Sequence, residues 1–390
     1  MNFLNTKYFQ IYIVSIFFLG IFFLSKKFLY PTDWTTSEWL INYQGGFVRR
    51  GLVGEFLFQI GNFINIPLRY LVFIFEIIIY GLFLYLTYFF FKKEKLHYIL
   101  LVIFFSPIFL IYPLAENEIL IRKEFLLFIF FMIFINKLIN NKNFYLYLSI
   151  VLPVLNLIWD GIIFYLFFIF FLFLTKKNLN KKECFKFFIS FVPYFISLLW
   201  IIKTKSNPAV FDLMCISIKE ECFGAMLALD KSLMWNINYQ VSRFEISYLV
   251  RYIFLITIIF APFFFIKLKS KEYLEIVGFK LSKNLYLYTL YTLTILSILV
   301  FMLIGFDWGR WISVGYIMLT FSIFYLIKID FINVKNSTIE NIDNFFKNNK
   351  KKFFILFFSY CFMWNMKATM TDDIGSLPYL RIIDKLLDYL

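Results

Sequence analysis

From Leu71 to Phe91 the chain runs 21 residues with Glu76 as its one charged side chain. A helix needs about 20 apolar residues to cross the hydrocarbon of a bilayer, so a run of this kind requires lipid around it. Ile11–Leu24 carries no charge at all. The 390 residues are 61% hydrophobic against 16% charged and include 58 Phe. That leaves too little polar surface to cover a water-soluble globule. The fold class is therefore all-α, a polytopic transmembrane helical bundle. A single domain over residues 1–390 is expected, with no separate soluble domain and no internal repeat. Ser25-Lys26-Lys27 follows the first apolar run where a cleaved leader would have small residues, so that run is expected to remain as a span.

Apolar runs and loop charge predict about eleven spans: 8–25, 68–91, 97–113, 124–136, 144–158, 161–175, 187–203, 246–268, 285–305, 311–328 and 352–366. Several are short for a crossing, which predicts tilted, broken or buried segments. The stretch 144–175 reads as a hairpin turning at Trp159-Asp160-Gly161, because the lysines at 176–186 then fall on the same side as the others. This arrangement puts the N-terminus in the cytoplasm and the C-terminus outside. The outer segments are then 26–67, 114–123, 204–245, 306–310 and the tail 367–390.

The two basic residue types separate across this topology. The inner segments hold 22 of 31 lysines and none of the eight arginines. Lysine follows the positive-inside bias, whereas arginine gathers on the side that bias disfavours. Guanidinium grips phosphate in bidentate fashion and keeps its charge beside lipid. A structural alternative is that the arginines pair with the seventeen outer acids and only hold loops together.

Pro31–Gly54 is the densest polar interruption, with Asp33, Trp34, Glu38, Tyr43, Arg49 and Arg50 in one segment. Thr35 and Glu38 fit a capping box, which predicts a short helix to about Gln44 that stops at Gly45-Gly46. Phe47–Asn62 then reads as an interfacial amphipathic helix. Glu116, Glu118, Arg122 and Lys123 crowd the second outer loop, and charge at the mouth of a bundle usually serves function. Asp160 is the one acid of the 144–175 hairpin, although an Asp before Gly also suits a turn. Gly305–Trp311 adds Asp307, Trp308 and Arg310, and Arg243 flanks the span 246–268. Cys215 and Cys222 lie in one outer loop and can form a disulfide where the Cβ geometry allows it; Cys184 and Cys361 are expected to stay free.

The net charge of +14 is scattered over loops rather than gathered into a nucleic-acid patch. His97 is the only histidine and falls on the inner side, which excludes His-based catalysis or metal binding outside. No phosphate-loop or dinucleotide fingerprint is present, no metal cluster is evident, and no cofactor is called for. Carboxylates, arginines and aromatics beside lipid suit a substrate with a lipid tail, a phosphate and sugars. In that reading Asp33, Glu38 and Asp160 supply carboxylate chemistry, and Arg49, Arg50, Arg122, Lys123, Arg243 and Arg310 hold phosphate. Trp34, Tyr43, Glu116, Glu118, Asp307 and Trp308 line the substrate.

An Asp in the first outer loop after one span, followed by an interfacial helix, resembles the GT-C class of membrane glycosyltransferases. Asp33 is the matching position. Asn42–Gly51 also resembles a segment of Wzy-like proteins of bacterial surface-polysaccharide clusters. These resemblances imply a bacterial inner-membrane enzyme that takes sugar from a polyprenyl-(di)phosphate donor to a lipid-linked acceptor. Its partners would be polyprenyl-linked sugars or oligosaccharides and membrane lipid, with room for other polysaccharide-assembly proteins and no nucleic acid. A competing expectation is a transporter or flippase of a lipid-linked or anionic solute, for which Glu76 is the only clear mid-span acid. A third is a non-catalytic assembly or acyl-transfer component.

Overall fold

A computed structural model describes residues 7–29, 34–92, 94–176, 179–204, 208–219, 223–229, 231–276, 278–370 and 377–388. The chain is overwhelmingly helical. In lipid a backbone must satisfy its own polar groups, and the helix does so within one segment. In order the helices are α1 (Lys7–Leu29), α2 (Trp34–Leu40), α3 (Leu52–Ile64), α4 (Leu68–Phe91), α5 (Tyr98–Phe104), α6 (Tyr112–Ala115) and α7 (Glu124–Ile139). Next come α8 (Tyr145–Ile158), α9 (Leu166–Leu174), α10 (Lys181–Ser190), α11 (Val192–Lys203), α12 (Pro208–Ile218), α13 (Leu233–Ser242) and α14 (Ile246–Phe264). A two-stranded antiparallel hairpin follows, β1 (Tyr273–Ile276) and β2 (Phe279–Ser282), with Tyr273 opposite Ser282. The chain continues with α15 (Lys283–Ile304), α16 (Trp308–Lys328), α17 (Thr338–Asn348), α18 (Lys350–Phe362) and α19 (Pro378–Asp388).

Among the described residues, six helical stretches are long and apolar enough to cross a membrane: α1, α4, the joined α10–α11, α14, α15 and α16. The protein is a multi-pass membrane protein on that evidence. Burial separates the six. Of the most apolar window of α16, 89% is buried, against 22–44% in the other five. Helix α16 is thus the axis, and the others turn apolar sides outward, where lipid takes the place of a core.

Charged contacts sort to the two ends of the bundle. At one end Lys328 pairs with Glu94 (3.2 Å), Lys269 with Glu340 (2.7 Å) and His97 with Asp343. Lysine supplies the cation in each pair except that of His97. At the other end Arg50, Arg122, Arg310 and Arg381 all pair with carboxylates. The stretch 144–175 folds back on itself: the Phe144 and Phe173 rings lie 6.1 Å apart, and Lys176 Nζ donates to Tyr145 Oη at 3.2 Å. Its turn, at Trp159 and Asp160, reaches the arginine end.

Three local expectations are corrected. Thr35 lies inside α2 rather than capping it. Its hydroxyl accepts from Lys27 Nζ (2.6 Å), and Glu38 turns away to Arg122, a partner of opposite charge. Helix α2 ends at Leu40, not near Gln44, and α3 starts at Leu52, so Phe47–Gly51 is irregular. The expected span 97–113 is helical only over α5 and the start of α6. Phe105, Ser106 and Pro107 stop the helix, since Pro107 disfavours helical backbone before it. The non-helical stretch after it is buried inside protein, the one setting where such backbone is tolerated at membrane depth.

Helix α3 docks on the chain leaving α2 through Gly54. A Cβ there would stand 2.0 Å from the carbonyl of Ile41 and 2.6 Å from that of Trp39. Both obstacles are backbone and cannot swing aside. Gly54→Ala is expected to cost about 1–3 kcal/mol, the usual cost of overpacking. Thermal unfolding in detergent reads this, and an unchanged midpoint would refute the close approach.

Candidate functional site: an arginine-walled cavity

Four distant chain segments meet at Glu38, whose side chain is fully buried. Its Oε2 accepts from Arg122 Nε at 2.7 Å. Its Oε1 has no hydrogen bond but lies 3.6 Å from Arg310 Nη2 and 3.9 Å from Arg50 Nη1. Arg310, in the first turn of α16, also pairs with Glu124 and with Asp307 (2.8 Å). Arg50 turns its other edge to Asp160, which it holds at 2.6 and 2.8 Å, while Arg49 lies 3.5 Å from the same carboxylate. Together with Lys123 this makes five cations against the four carboxylates Glu38, Glu124, Asp160 and Asp307.

Burial alone would raise the Glu38 carboxyl, but Arg122, Arg310 and Lys123 outweigh it and hold the group far below the usual carboxylate range. Asp160 is balanced the same way: burial raises it, and Arg50 and Arg49 bring it below its ordinary value. Lys123 shows the reverse. Burial pushes its ammonium down to about 7, with Glu38 resisting and Arg50 adding to the push.

The backbone that presents these groups is strained in two places. Arg50 has φ 68° and Ile121 has φ 55°, the left-handed region that a β-branched residue rarely enters. Each is held from outside: Lys123 Nζ donates to the Arg50 carbonyl at 2.5 Å, and Trp39 Nε1 donates to the Ile121 carbonyl at 2.8 Å. Strain of this kind persists where surrounding contacts over-determine it, and it clusters at ligand clamps.

The arginines face a cavity of about 690 Å³, within the range of small-molecule sites. Among the described residues, Arg49, Arg50, Arg122, Arg310 and Lys231 line it against the three carboxylates Glu38, Glu118 and Asp307, five cations to three anions. Glu118 is exposed and Asp307 is 27% exposed, so these carboxylates are accessible where Glu38 is not. Aromatics complete the wall. Trp159, Phe301 and Trp311 lie nearly parallel, with Phe301 and Trp311 4.4 Å apart, and Arg310 sits 4.6 Å from the Trp311 ring. Helix α13 contributes Trp235, Asn236, Tyr239 and Gln240. Arg310 Nε and Trp311 Nε1 are buried donors with no acceptor among the described residues. They belong to cavity-lining residues and can serve a ligand rich in oxygen.

Of the residues singled out in sequence, Glu38, Arg49, Arg50, Arg122, Arg310, Trp34, Glu118 and Asp307 line this cavity. Asp160 and Lys123 stand behind it, holding Arg50 from side chain and backbone. Asp33 lies outside the described residues. Tyr43 does not line the cavity; it packs on Phe47 and Gly51. Trp308 is buried against Tyr252. Glu116 sits in a separate cluster with Arg381 (2.7 Å), Asn365 and the Ala368 amide, and so ties α19 and the 365–370 segment to the bundle. Arg243 is exposed over Tyr239, outside the cavity. Cys215 is disulfide-bonded while Cys184 and Cys361 are free; Cys222 lies outside the described residues. Among the described residues no cluster of three His, Cys, Asp or Glu side chains can hold a metal. Sequence reading passed over Glu124, counted as the start of a span, and the aromatics Trp159, Trp235, Tyr239 and Trp311. Their apolar bodies fit any helix face, and only the tertiary meeting of α13, α15 and α16 gives them a cavity. No protein-family model, curated protein or solved structure matches the chain.

Removing the Glu38 charge leaves Arg122 and Arg310 buried with less compensation. Glu38→Gln is expected to destabilise by about 3–5 kcal/mol at pH 7. The folded carboxyl lies below its unfolded value of about 4.3, so its stabilisation is complete above that pH and is lost as pH falls towards the folded value. Unfolding midpoints of both proteins between pH 7 and pH 3 check this. The gap between them should narrow in acid, and a constant gap would refute the assignment.

Proposed function

We propose that this protein is a membrane glycosyltransferase or polymerase. It takes sugar from a polyprenyl-(di)phosphate donor to a lipid-linked glycan acceptor, in surface-polysaccharide synthesis. In this reading the fold is GT-C-like with about eleven crossings, and the arginine end is the outer face of a bacterial inner membrane. The observation that supports it is the convergence of Arg49, Arg50, Arg122 and Arg310 on one cavity that also offers accessible carboxylates and aromatic side chains.

The chemistry follows from the wall. The bond between the sugar's anomeric carbon and the phosphate oxygen breaks, and its electron pair leaves with the phosphate. Fixed guanidinium groups stabilise that leaving charge without reorganising. An acceptor hydroxyl forms the new bond to the anomeric carbon and gives its proton to a carboxylate. Glu38 is fully buried and Asp160 does not line the cavity, so an acceptor hydroxyl does not reach them; their part is to orient Arg122, Arg310, Arg49 and Arg50. Asp33 and Asp307 are the candidates for the proton acceptor, Asp33 by resemblance and Asp307 by its place on the cavity wall.

A transporter or flippase is the second reading. It draws on Glu76, buried within α4. Such a protein would move labelled lipid-linked substrate across vesicles with no new glycosidic linkage.

Arg49→Ala and Arg50→Ala are each expected to lower transfer about a hundredfold or more, and Asp33→Asn to abolish it. Mass spectrometry of glycan-lipid products from reconstituted vesicles gives the readout. Undiminished product in all three correctly inserted variants would rule the transferase out.

A further inference from the structure

Helix α13 carries a repeat that the proposed chemistry does not use. Trp235 and Tyr239, four residues apart, share one face of the helix; Lys231, just before the N-cap Ser232, and Arg243, the C-cap, continue the four-residue spacing at either end. They stack in that order. Lys231 Nζ lies 5.6 Å from the Trp235 ring, the Trp235 and Tyr239 rings lie 5.1 Å apart at 8°, and Arg243 Cζ lies 5.0 Å from the Tyr239 ring. The result is a ladder with a cation at each end. Its first turn is pinned by Ser232, whose hydroxyl accepts from the Trp235 amide at 3.0 Å.

The ladder's position gives it meaning. Helix α14 starts at Ile246, so α13 is tethered at the end of a membrane-spanning helix. Gln240 donates to the carbonyl of Met302, in the last turn of α15, which is a second spanning helix. Helix α13 therefore lies at the depth where spans end, the headgroup layer of a bilayer. Its other residues fit that layer: Met234 and Val241 are 65% and 68% exposed. One end of the ladder is inside the cavity, because Lys231 lines it, and the other is outside, because Arg243 is exposed and does not. Glu245, the nearest acid in sequence after Arg243, turns to the Ser247 hydroxyl at 3.3 Å.

We propose that α13 is a binding rail for the phosphate of a membrane lipid, leading a prenyl phosphate sideways from the headgroup layer past Arg243 towards Lys231 and the arginine wall. Aromatic side chains flanked by basic ones at a membrane surface attract lipid phosphate while their apolar bodies stay in the acyl boundary. Stacking fixes both cations at a set spacing, so less side-chain freedom is lost when a phosphate arrives. The inference rests on the lipid-linked substrate of the proposed function and adds a route and a recognition surface to it.

The test places the full-length protein in phosphatidylcholine nanodiscs and titrates it with farnesyl phosphate and, separately, with inorganic pyrophosphate. Arg243→Gln is expected to weaken farnesyl phosphate binding and slow its association about tenfold, the effect of losing one charge-assisted contact. Pyrophosphate, which reaches the arginine wall from water, should bind Arg243→Gln as it binds wild type. Arg243→Lys keeps the charge and should recover most of the loss. Equal farnesyl phosphate binding by wild type and Arg243→Gln overturns the rail. An equal loss of both ligands also overturns it, because Arg243 would then act on any anion. Wild type that takes up farnesyl phosphate but not pyrophosphate would overturn the arginine wall as a phosphate site and leave the rail standing. Wild type that binds neither overturns both.

Discussion

A buried carboxylate with no access to water is costly unless charge and hydrogen bonds compensate it. Glu38 is such a group, and the arginine end of the bundle is assembled around its compensation. The guanidiniums that reach it come from positions 50, 122 and 310, which share no local structure. Meeting at one carboxylate fixes α2, the 116–123 loop and the start of α16 relative to one another. The same arginines then carry outward to Asp307 and Asp160, so the ion network continues from the core to the cavity wall. A well-packed apolar cluster of the same volume is often as stable as a buried ion network. What an apolar cluster cannot do is present oriented guanidinium groups to a cavity. The network holds four guanidinium groups oriented at the cavity wall.

The remainder of the fold supplies rigid walls for that surface. Helix α16 can be buried almost throughout because small residues let its neighbours come close. Gly315 faces Ile298 and Thr294 of α15, and Gly309 faces the Lys367 carbonyl and Tyr112. The Gly309 contact seats the 365–370 segment on the start of α16, where the Gly309 amide donates to Ala368 O at 3.0 Å. Ala368 and Thr369 then form part of the cavity wall. Between Phe104 and Tyr112 the chain leaves the α-helix but stays enclosed, so backbone that lipid could not accept is accepted by protein.

The all-helical class was legible because apolar runs of bilayer length have few other solutions. The gathering of arginines was legible too, since lysine and arginine are distributed so differently along the chain. Arg49, Arg50, Arg122 and Arg310 meet as their shared chemistry led one to expect, while Arg243 stands apart on α13. What sequence could not give was the partner of each charge. Thr35 and Glu38 match a capping box by spacing, yet a capping bond to a backbone amide is weak beside a charge-assisted bond to Arg122, 84 residues away. Glu124 reads as the polar edge of a span until Arg310, 186 residues further on, is placed against it. Aromatic residues were the hardest to read. With 58 Phe, 26 Tyr and 8 Trp, a functional ring has no sequence mark that separates it from packing.

Lys123 shows what becomes of a lysine enclosed among these arginines. It is enclosed in the same network as Arg122, yet burial brings its ammonium down to about 7, where its charge becomes conditional. A guanidinium in that position keeps its proton and spreads its charge over a planar fork. It can therefore hold a carboxylate on one edge and still offer donors on another, as Arg50 does between Asp160 and Glu38. Lysine has a single ammonium, and Lys123 directs it to the Arg50 carbonyl, where its hydrogen bond sets the direction of the neighbouring arginine. The division of labour follows from the two side chains' chemistry: arginine where charge must persist in a dry wall, lysine where a compact donor fixes a strained backbone.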